Sequence, residues 1–187
     1  MHSETTKLND VLYLVPDRFG DERGFFSECW NKRVFEELGV TCDWVQDNHS
    51  LSLEAPTLRG LHFQAPPHAQ DKLVRCGRGS LFDVAVDIRK GSPTYGQWVG
   101  YELSAENGAQ LFIPKGFLHG FVTLEPNTEI VYKCSDYYNR EADGVVRYDC
   151  PELAIDWPLS GATPVLSQKD STASGLSEFV SPFTYRS

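Results

Sequence analysis

The 187-residue sequence has little of what membrane, secreted and nucleic-acid-binding proteins need. No apolar run is long enough to cross a bilayer, and residues 1–10 contain no apolar stretch that could act as a signal peptide. Lys and Arg number 17 against 26 Asp and Glu, and the net charge of −9 argues against binding to nucleic acid or anionic lipid. An anionic ligand must therefore meet a local cluster of cations.

Cysteine usage is equally restricted. The five cysteines are odd in number and show no Cys-x-x-Cys spacing, which predicts a reducing, cytoplasmic location. A chain of this length buries roughly 70% of its unfolded surface, so it needs neither disulfides nor a structural metal to stay folded. No low-complexity block or long linker divides it, and we expect a single domain over residues 1–187.

Runs of β-branched and aromatic residues, bounded by Gly, Pro, Asn and Asp, predict strands through the middle of the chain. Residues 72–76 and 81–87 flank Gly-Arg-Gly-Ser and predict a hairpin. Further strands are predicted at 97–103, 109–113, 117–124 and 129–133. Their regular spacing favours a sandwich or barrel. Helices are predicted at 31–39, between a capping Asn31 and Gly39, and between Pro151 and Pro158.

A short motif points to a barrel. The spacing Gly-x5-Pro-x-Gly-x2-His at residues 108–119 resembles the second motif of the cupins. Metal-binding cupins complete their ligand set with His-x-His and an acidic residue, whereas this chain has His-Phe-Gln at 62–64 and Lys72 at the acidic position. A lysine there repels a divalent ion, so we expect no metal.

Longer motifs follow one another along nearly the whole chain. They are Arg-Gly-Leu-His-Phe-Gln at 59–64, Gln-Asp-Lys-Leu-Val at 70–74, Pro-Lys-Gly-Phe-Leu-His-Gly-Phe at 114–121, Tyr-Lys-Cys-Ser-Asp-Tyr-Tyr at 132–138 and Ile-Asp-Trp-Pro at 155–158. Together they resemble the dTDP-4-dehydrorhamnose 3,5-epimerase family. The resemblance implies an all-β fold, a cupin-like jelly roll (a double-sheeted β-barrel) with a few short helices, which pairs into a homodimer.

The resemblance also implies a reaction. The family substrate is a dTDP-linked 4-keto-6-deoxy sugar, whose ketone acidifies the hydrogens on carbons 3 and 5. Inverting both centres converts dTDP-4-dehydro-6-deoxy-D-glucose to dTDP-4-dehydro-L-rhamnose, a step in dTDP-L-rhamnose biosynthesis. The carbonyl itself accepts the electrons, so we expect no cofactor, which agrees with a sequence that has no Gly-x-Gly-x-x-Gly turn and no Walker loop.

Four residues are the catalytic candidates that the resemblance implies. His62 is the general base, Asp170 its carboxylate partner, Tyr132 the acid on the opposite face, and Lys72 the cation that stabilises the oxyanion. Considered singly, each also fits an ordinary role, as a barrel histidine, a turn residue, a core aromatic or a strand-end lysine.

Eleven further residues are candidates for substrate binding on the same grounds. Arg23 and Arg59 would hold the diphosphate, and Tyr138 would stack on thymine, with Phe19 and Phe26 as weaker candidates. Hydrogen bonds to the base and sugar would come from Glu28, Gln46 and Asn48. His119 would line the sugar pocket, Lys169 would touch the nucleotide, and Asp143 lies near a family acidic position.

Three alternatives stay open on the sequence. Related enzymes of deoxysugar pathways invert only carbon 3 or carbon 5, a cupin of another kind could depend on a metal, and a binding module could hold the sugar nucleotide without reacting. The tail at 171–187 is rich in Ser, Thr and Gly, and it has few apolar residues that could anchor it.

Overall fold

The computed structural model describes residues 1–186, most of which form or connect antiparallel strands. Its strands are β1 (His2–Thr5), β2 (Leu12–Val15), β3 (Phe19–Asp21), β4 (Gly24–Phe26), β5 (Gln46–Ser52), β6 (Leu58–Gln64), β7 (Lys72–Arg78), β8 (Ser80–Asp87), β9 (Trp98–Ser104), β10 (Gln110–Ile113), β11 (Phe117–Thr123), β12 (Thr128–Cys134) and β13 (Asp143–Val145). The helices are α1 (Lys32–Glu37), α2 (Gln168–Ser171) and a 3-10 turn at Leu176–Glu178. Within residues 1–186, no helix has the length and apolar character needed to span a membrane.

Two sheets pack face to face. One has six strands in the order β1-β2-β10-β7-β12-β5, and the other has five in the order β13-β6-β11-β8-β9. Strands β3 and β4 form a separate small hairpin. Consecutive strands repeatedly cross from one sheet to the other, as in a jelly roll. The prediction of an all-β, double-sheeted fold is therefore confirmed.

Apolar side chains fill the space between the sheets and also cover their outer faces. Val74 and Leu111 from the six-stranded sheet meet Ala85 and Leu103 from the five-stranded sheet in the central cluster. A fully buried valine or leucine side chain contributes about 1.5–3 kcal/mol, so this cluster stabilises the contact between the two sheets. Helix α1 covers the outer face of the six-stranded sheet through the buried ring of Phe35.

The predicted strands are present, but their pairing differs in one place. The runs at 72–76 and 81–87 lie within β7 and β8, which the sequence pattern joins as a hairpin. In the structure β7 pairs with β10 and β12, whereas β8 pairs with β9 and β11 in the other sheet. The hairpin prediction is therefore wrong, and the turn at Gly79 is a corner between the sheets.

The helix predicted at 31–39 is confirmed as α1, with the Asn31 side chain accepting from the Arg33 amide and Gly39 at φ +87° after it. The helix predicted between Pro151 and Pro158 is wrong, since that segment forms turns and extended chain.

The tail is better anchored than its composition suggests. Phe179 and Phe183 pack edge-on against Phe63 of β6 at ring distances of 5.3 and 6.2 Å, and only Ser187 lies outside the described residues.

The small hairpin of β3 and β4 projects from the barrel. Phe19 and Phe26, which face each other across it, are 66% and 69% exposed. Burying rings of this size is normally favourable, so two exposed rings on one hairpin mark an apolar surface that is available for contact.

Candidate active site

Polar side chains from both sheets surround a space near the start of β7 and the end of β12. An inner cavity of about 250 Å³ is lined by Ser50, Arg59, His62, Lys72, His119, Phe121, Tyr132, Ser167 and Asp170. An outer cavity of about 490 Å³ adjoins it through His62, Lys72 and Tyr132. The outer cavity is also lined by Gln46, Asn48, Phe63, Gln64, Gln70, Cys134, Tyr138, Asp143 and Lys169. Eleven of the fifteen predicted site residues line these two spaces.

His62 and Asp170 form a close pair, although 108 positions separate them. His62 projects inward from β6, and its Nε2 lies 2.6 Å from Oδ1 of Asp170, whose side chain is 3% exposed. An ionised carboxylate only accepts hydrogen bonds, so Nε2 carries the proton and Nδ1 is left with a free lone pair. Burial raises the pKa of Asp170, but hydrogen bonds from His62 and Ser167 outweigh it and hold the pKa below its ordinary value.

Tyr132 and Lys72 reach the same cavity from the opposite sheet. They lie on the neighbouring strands β12 and β7, where Tyr132 pairs with Val74 and Lys72 with Cys134. Burial raises the pKa of Tyr132, so its phenol is protonated at neutral pH and can act as an acid. Burial lowers the pKa of Lys72, an effect that nearby negative groups, including Asp83 and Asp143, partly offset.

A second histidine–carboxylate pair lies behind His62. His119 pairs with His62 across β11 and β6, and its Nε2 is 2.7 Å from Oδ1 of the fully buried Asp83. Burial lowers the pKa of His119 although Asp83 opposes the shift, so its ring is mainly neutral at neutral pH. Because Asp83 accepts the Nε2 proton, a neutral ring has the lone pair on Nδ1.

Hydrogen bonds organise the mouth of the outer cavity. Oδ2 of Asp143 accepts from Nζ of Lys169 at 2.6 Å and from the Tyr138 hydroxyl at 3.2 Å. The amide of Tyr138 donates to Oε1 of Gln46, whose Nε2 donates to Asn48. The Tyr138 ring is 59% exposed, so one face of it is open to a flat ligand.

A sequence model of the dTDP-4-dehydrorhamnose 3,5-epimerase family matches residues 5–178. The chain is 55% identical over 169 residues to dTDP-4-dehydrorhamnose 3,5-epimerase from Salmonella typhimurium, with 90% of this chain and 91% of that protein covered. It is 50% identical to the protein of that name from Sinorhizobium fredii, with 99% and 94% covered. The chain belongs to the dTDP-4-dehydrorhamnose 3,5-epimerase family. It also matches the Legionella pneumophila dTDP-6-deoxy-D-glucose-3,5-epimerase in complex with dTDP-4-keto-L-rhamnose, with a TM-score of 0.95, 46% identity and 100% and 99% coverage.

Four residues that the family resemblance implies for substrate binding lie apart from the two cavities. Phe19, Arg23 and Phe26 are on the projecting hairpin of β3 and β4 or its turn, and Glu28 follows it. Arg23 pairs with Asp21, and Glu28 accepts from Asn31 at 3.0 Å. None of the four lines the space that contains His62 and Tyr132.

Arg59 is the predicted diphosphate ligand that does lie in the inner cavity. Its Nη2 donates to the carbonyl oxygen of Leu51 at 3.2 Å and lies 3.4 Å from Oγ of Ser52, both at the end of β5. Both partners are neutral, and no carboxylate within residues 1–186 pairs with the guanidinium, so its charge can bind an anion.

The sequence reasoning missed Asp83 and Ser167. The period-two alternation of a strand predicts that Asp83 lies on the face of β8 opposite Phe82 and Val84. The structure shows that this face points into the barrel. Ser167 stands three positions before an acidic residue, which is the spacing of a helix N-cap, and this signal could have found α2.

Within residues 1–186, no three His, Cys, Asp or Glu side chains are placed to bind a metal ion together. Lys72 lines the inner cavity with His62 and His119. A lysine among the groups that line this space disfavours a divalent ion there.

Proposed function

We propose that this protein is a cofactor-free epimerase that converts dTDP-4-dehydro-6-deoxy-D-glucose to dTDP-4-dehydro-L-rhamnose by inverting carbons 3 and 5. One observation carries the proposal. His62 and Tyr132 line one cavity from opposite sheets, with Lys72 beside them. A sugar ring held between them would have a base on one face and an acid on the other.

The hydrogen bonds support the following roles for individual atoms in the reaction. Nδ1 of His62 removes the proton from carbon 3 or 5, and the electron pair of that C–H bond moves onto the ketone oxygen as an enolate. Lys72 stabilises this oxygen, an effect worth roughly a hundred- to thousandfold in rate. Tyr132 then donates its hydroxyl proton to the same carbon from the other face, which restores the ketone. Solvent reprotonates Tyr132 and accepts the proton from His62, so the enzyme returns to its starting state.

Heavy water provides the direct test. Incubating the substrate with the protein in D2O should introduce deuterium at carbons 3 and 5, detected by nuclear magnetic resonance of the sugar. His62→Asn should abolish exchange at both carbons. Exchange at only one carbon would instead support the mono-epimerase, and tight binding without exchange would support a binding module. Loss of activity on chelation, restored by added metal, would revive a metal-dependent enzyme.

The proposal also includes a homodimer, in which the predicted substrate-binding residues of the hairpin reach a cavity. The hairpin of β3 and β4 would insert into the cavity of a second copy, where Arg23 would join Arg59 at the diphosphate. The exposed rings of Phe19 and Phe26 support this arrangement, because burial in a partner would remove them from water. We further propose a cytoplasmic location, which is supported by the five cysteines, none of them in a disulfide.

Subunit complementation tests the shared site. Arg23→Ala and His62→Asn should each abolish activity when expressed alone. Co-expressed, they should form mixed dimers in which one cavity has an intact His62 and receives an intact Arg23. With random pairing, about a quarter of the cavities should be active. A mixture with no activity, from two variants that both remain dimeric, would show that the hairpin serves its own subunit.

A further inference from the structure

Ser167 connects to the proposed base through Asp170. It is the N-cap of α2, where its Oγ accepts from the Asp170 amide at 3.1 Å and donates to Oδ2 of Asp170 at 2.7 Å. The other carboxylate oxygen accepts from Nε2 of His62 at 2.6 Å. Both oxygens of this buried carboxylate therefore have a donor, and a continuous chain runs from Ser167 through Asp170 to His62.

The backbone before Ser167 is tied to the strand that carries His62. The amide of Val165 donates to the carbonyl of Pro56 at 2.8 Å, and the Leu58 amide donates to the Val165 carbonyl at 3.0 Å. Leu58 is the first residue of β6, so the segment that enters α2 and the strand of His62 share one hydrogen-bonded frame. Ser167 can therefore hold Asp170 in a fixed relation to the imidazole.

We propose that Ser167 is a positioning residue for the base His62. The Ser167 hydroxyl fixes the rotation of the Asp170 carboxylate, and the carboxylate in turn keeps the His62 proton on Nε2. The inference rests on the proposed function, since it takes His62 as the base. If the hydroxyl were absent, Oδ2 would be buried without a donor, and the carboxylate would be free to rotate or to take up a proton.

No other charged group near Asp170 in the described chain donates a hydrogen bond to its carboxylate in place of the Ser167 hydroxyl. The titratable and charged side chains around it are His62 from β6, Lys169 from α2, and Arg59, Lys72, His119 and Tyr132 along the inner cavity. Within the described chain, only His62 and Ser167 donate side-chain hydrogen bonds to the carboxylate. Lys169 instead bonds to Asp143 at the mouth of the outer cavity.

Three substitutions separate positioning from helix capping. Ser167→Gly removes the hydroxyl, yet glycine is tolerated at an N-cap at little cost. Ser167→Thr retains the hydroxyl. Ser171→Ala is the matched control, because Ser171 lies in the same helix and its hydroxyl donates to the Gln168 carbonyl, away from Asp170.

In Ser167→Gly we expect kcat to fall about tenfold with KM nearly unchanged. The acid limb of the kcat profile should move about one pH unit upward, because the carboxylate without this donor is more basic and the hydrogen-bonded His62–Asp170 pair takes up a proton at higher pH. Ser167→Thr should restore both quantities, and Ser171→Ala should alter neither. If Ser167→Gly fails to fold, Ser167→Ala provides a second comparison, since it also removes the hydroxyl without adding a charge, and its capping cost of about 1 kcal/mol is measured separately by the melting temperature.

An unchanged kcat in a folded Ser167→Gly protein would overturn the inference. So would a lower kcat with an unmoved acid limb, or with no rescue by threonine, because these results would assign Ser167 to helix capping alone. Deuterium exchange in His62→Asn tests the base itself, and persistence of that exchange would defeat the proposed function whatever the Ser167 variants show.

Discussion

Gly60 is the position at which β6, the strand of His62, is most sensitive to one added carbon. It precedes His62 on β6 and has φ +131°, which side-chain-bearing residues rarely adopt. A Cβ there would lie 2.6 Å from Cα of Gly120 and 2.9 Å from the carbonyl oxygen of His119, both on β11. These neighbours are backbone atoms, so relief requires β6 and β11 to move apart.

For Gly60→Ala the cost has two parts. A backbone conformation of this kind costs about 2 kcal/mol for a non-glycine residue, and overpacking costs about 2 kcal/mol more. A loss of about 4 kcal/mol lowers the melting temperature of a protein of this size by roughly 8–16 °C. Deuterium exchange should also fall, since separating the strands moves His62 away from Lys72 and Tyr132.

Calorimetry and urea unfolding would measure this loss, with Gly39→Ala as the matched control. Gly39 has φ +87°, but a Cβ added there would have no neighbouring atom within 4 Å, so its alanine variant carries the conformational cost alone. Gly60→Ala should be the less stable of the two by about 2 kcal/mol. Equal losses in the two variants would refute the argument from close approach.

Three further predictions concern the site and its support. Tyr132→Phe should retain deuterium exchange through His62 but lose net inversion, which nuclear magnetic resonance of the sugar would show; full turnover would exclude Tyr132 as the acid. The kcat of the unaltered enzyme should fall as pH rises through the pKa of Lys72, which burial places below its ordinary value of 10.5. Lys72→Arg should move this fall in kcat to higher pH. Lys72→Met should lower the rate about a hundredfold or more while raising the melting temperature. Asp87→Asn should lower the free energy of unfolding by about 3–5 kcal/mol, because Arg89, Ser92 and Thr94 all donate to this fully buried carboxylate. The pKa of Asp87 is lowered in the folded state despite burial. The ionised carboxylate therefore stabilises the fold above the pKa of the unfolded state, and this stabilisation is lost as pH falls through the pKa of the folded state. Urea titrations below pH 5 should show that the variant loses less stability than the unaltered protein.

The strands and α1 could be predicted because their signals are local. A β-branched run or a capping asparagine reports on a few neighbouring residues, and these elements formed where the pattern indicated. Strand pairing is not local. At Gly79, a Cβ would lie 2.5 Å from Oγ1 of Thr128, so the chain turns a tight corner there and β8 enters the other sheet. Alternation along β8 shows which residues share a face, but it does not identify the sheet.

The wrongly predicted helix and the tail near the C-terminus show the same limit. Between Pro151 and Pro158 the chain packs against the barrel and forms no helix, since Trp157 lies in the apolar cluster on the outer face of the five-stranded sheet and its Nε1 donates to the Tyr148 carbonyl at 2.9 Å. In the tail, Phe179 and Phe183 are too few to form a periodic pattern, yet the ring of Phe63 provides a surface for both. Contacts between residues far apart in the sequence decide both segments.

The distinction between local signals and long-range contacts also explains which site residues could be predicted from the sequence. His62, Lys72 and Tyr132 were found through motifs, and the fold brings them together because each occupies an inward-facing position on its strand. Further along β7 and β12, the inward positions hold Val74 and Ile130, which belong to the apolar cluster between the sheets. The cavity is thus a stretch of the barrel interior in which polar side chains replace core residues. Burying an amine there reduces stability. The proposed mechanism gives a reason for its presence, since an apolar side chain at position 72 would complete the core but would leave the enolate oxygen of that mechanism without a cation.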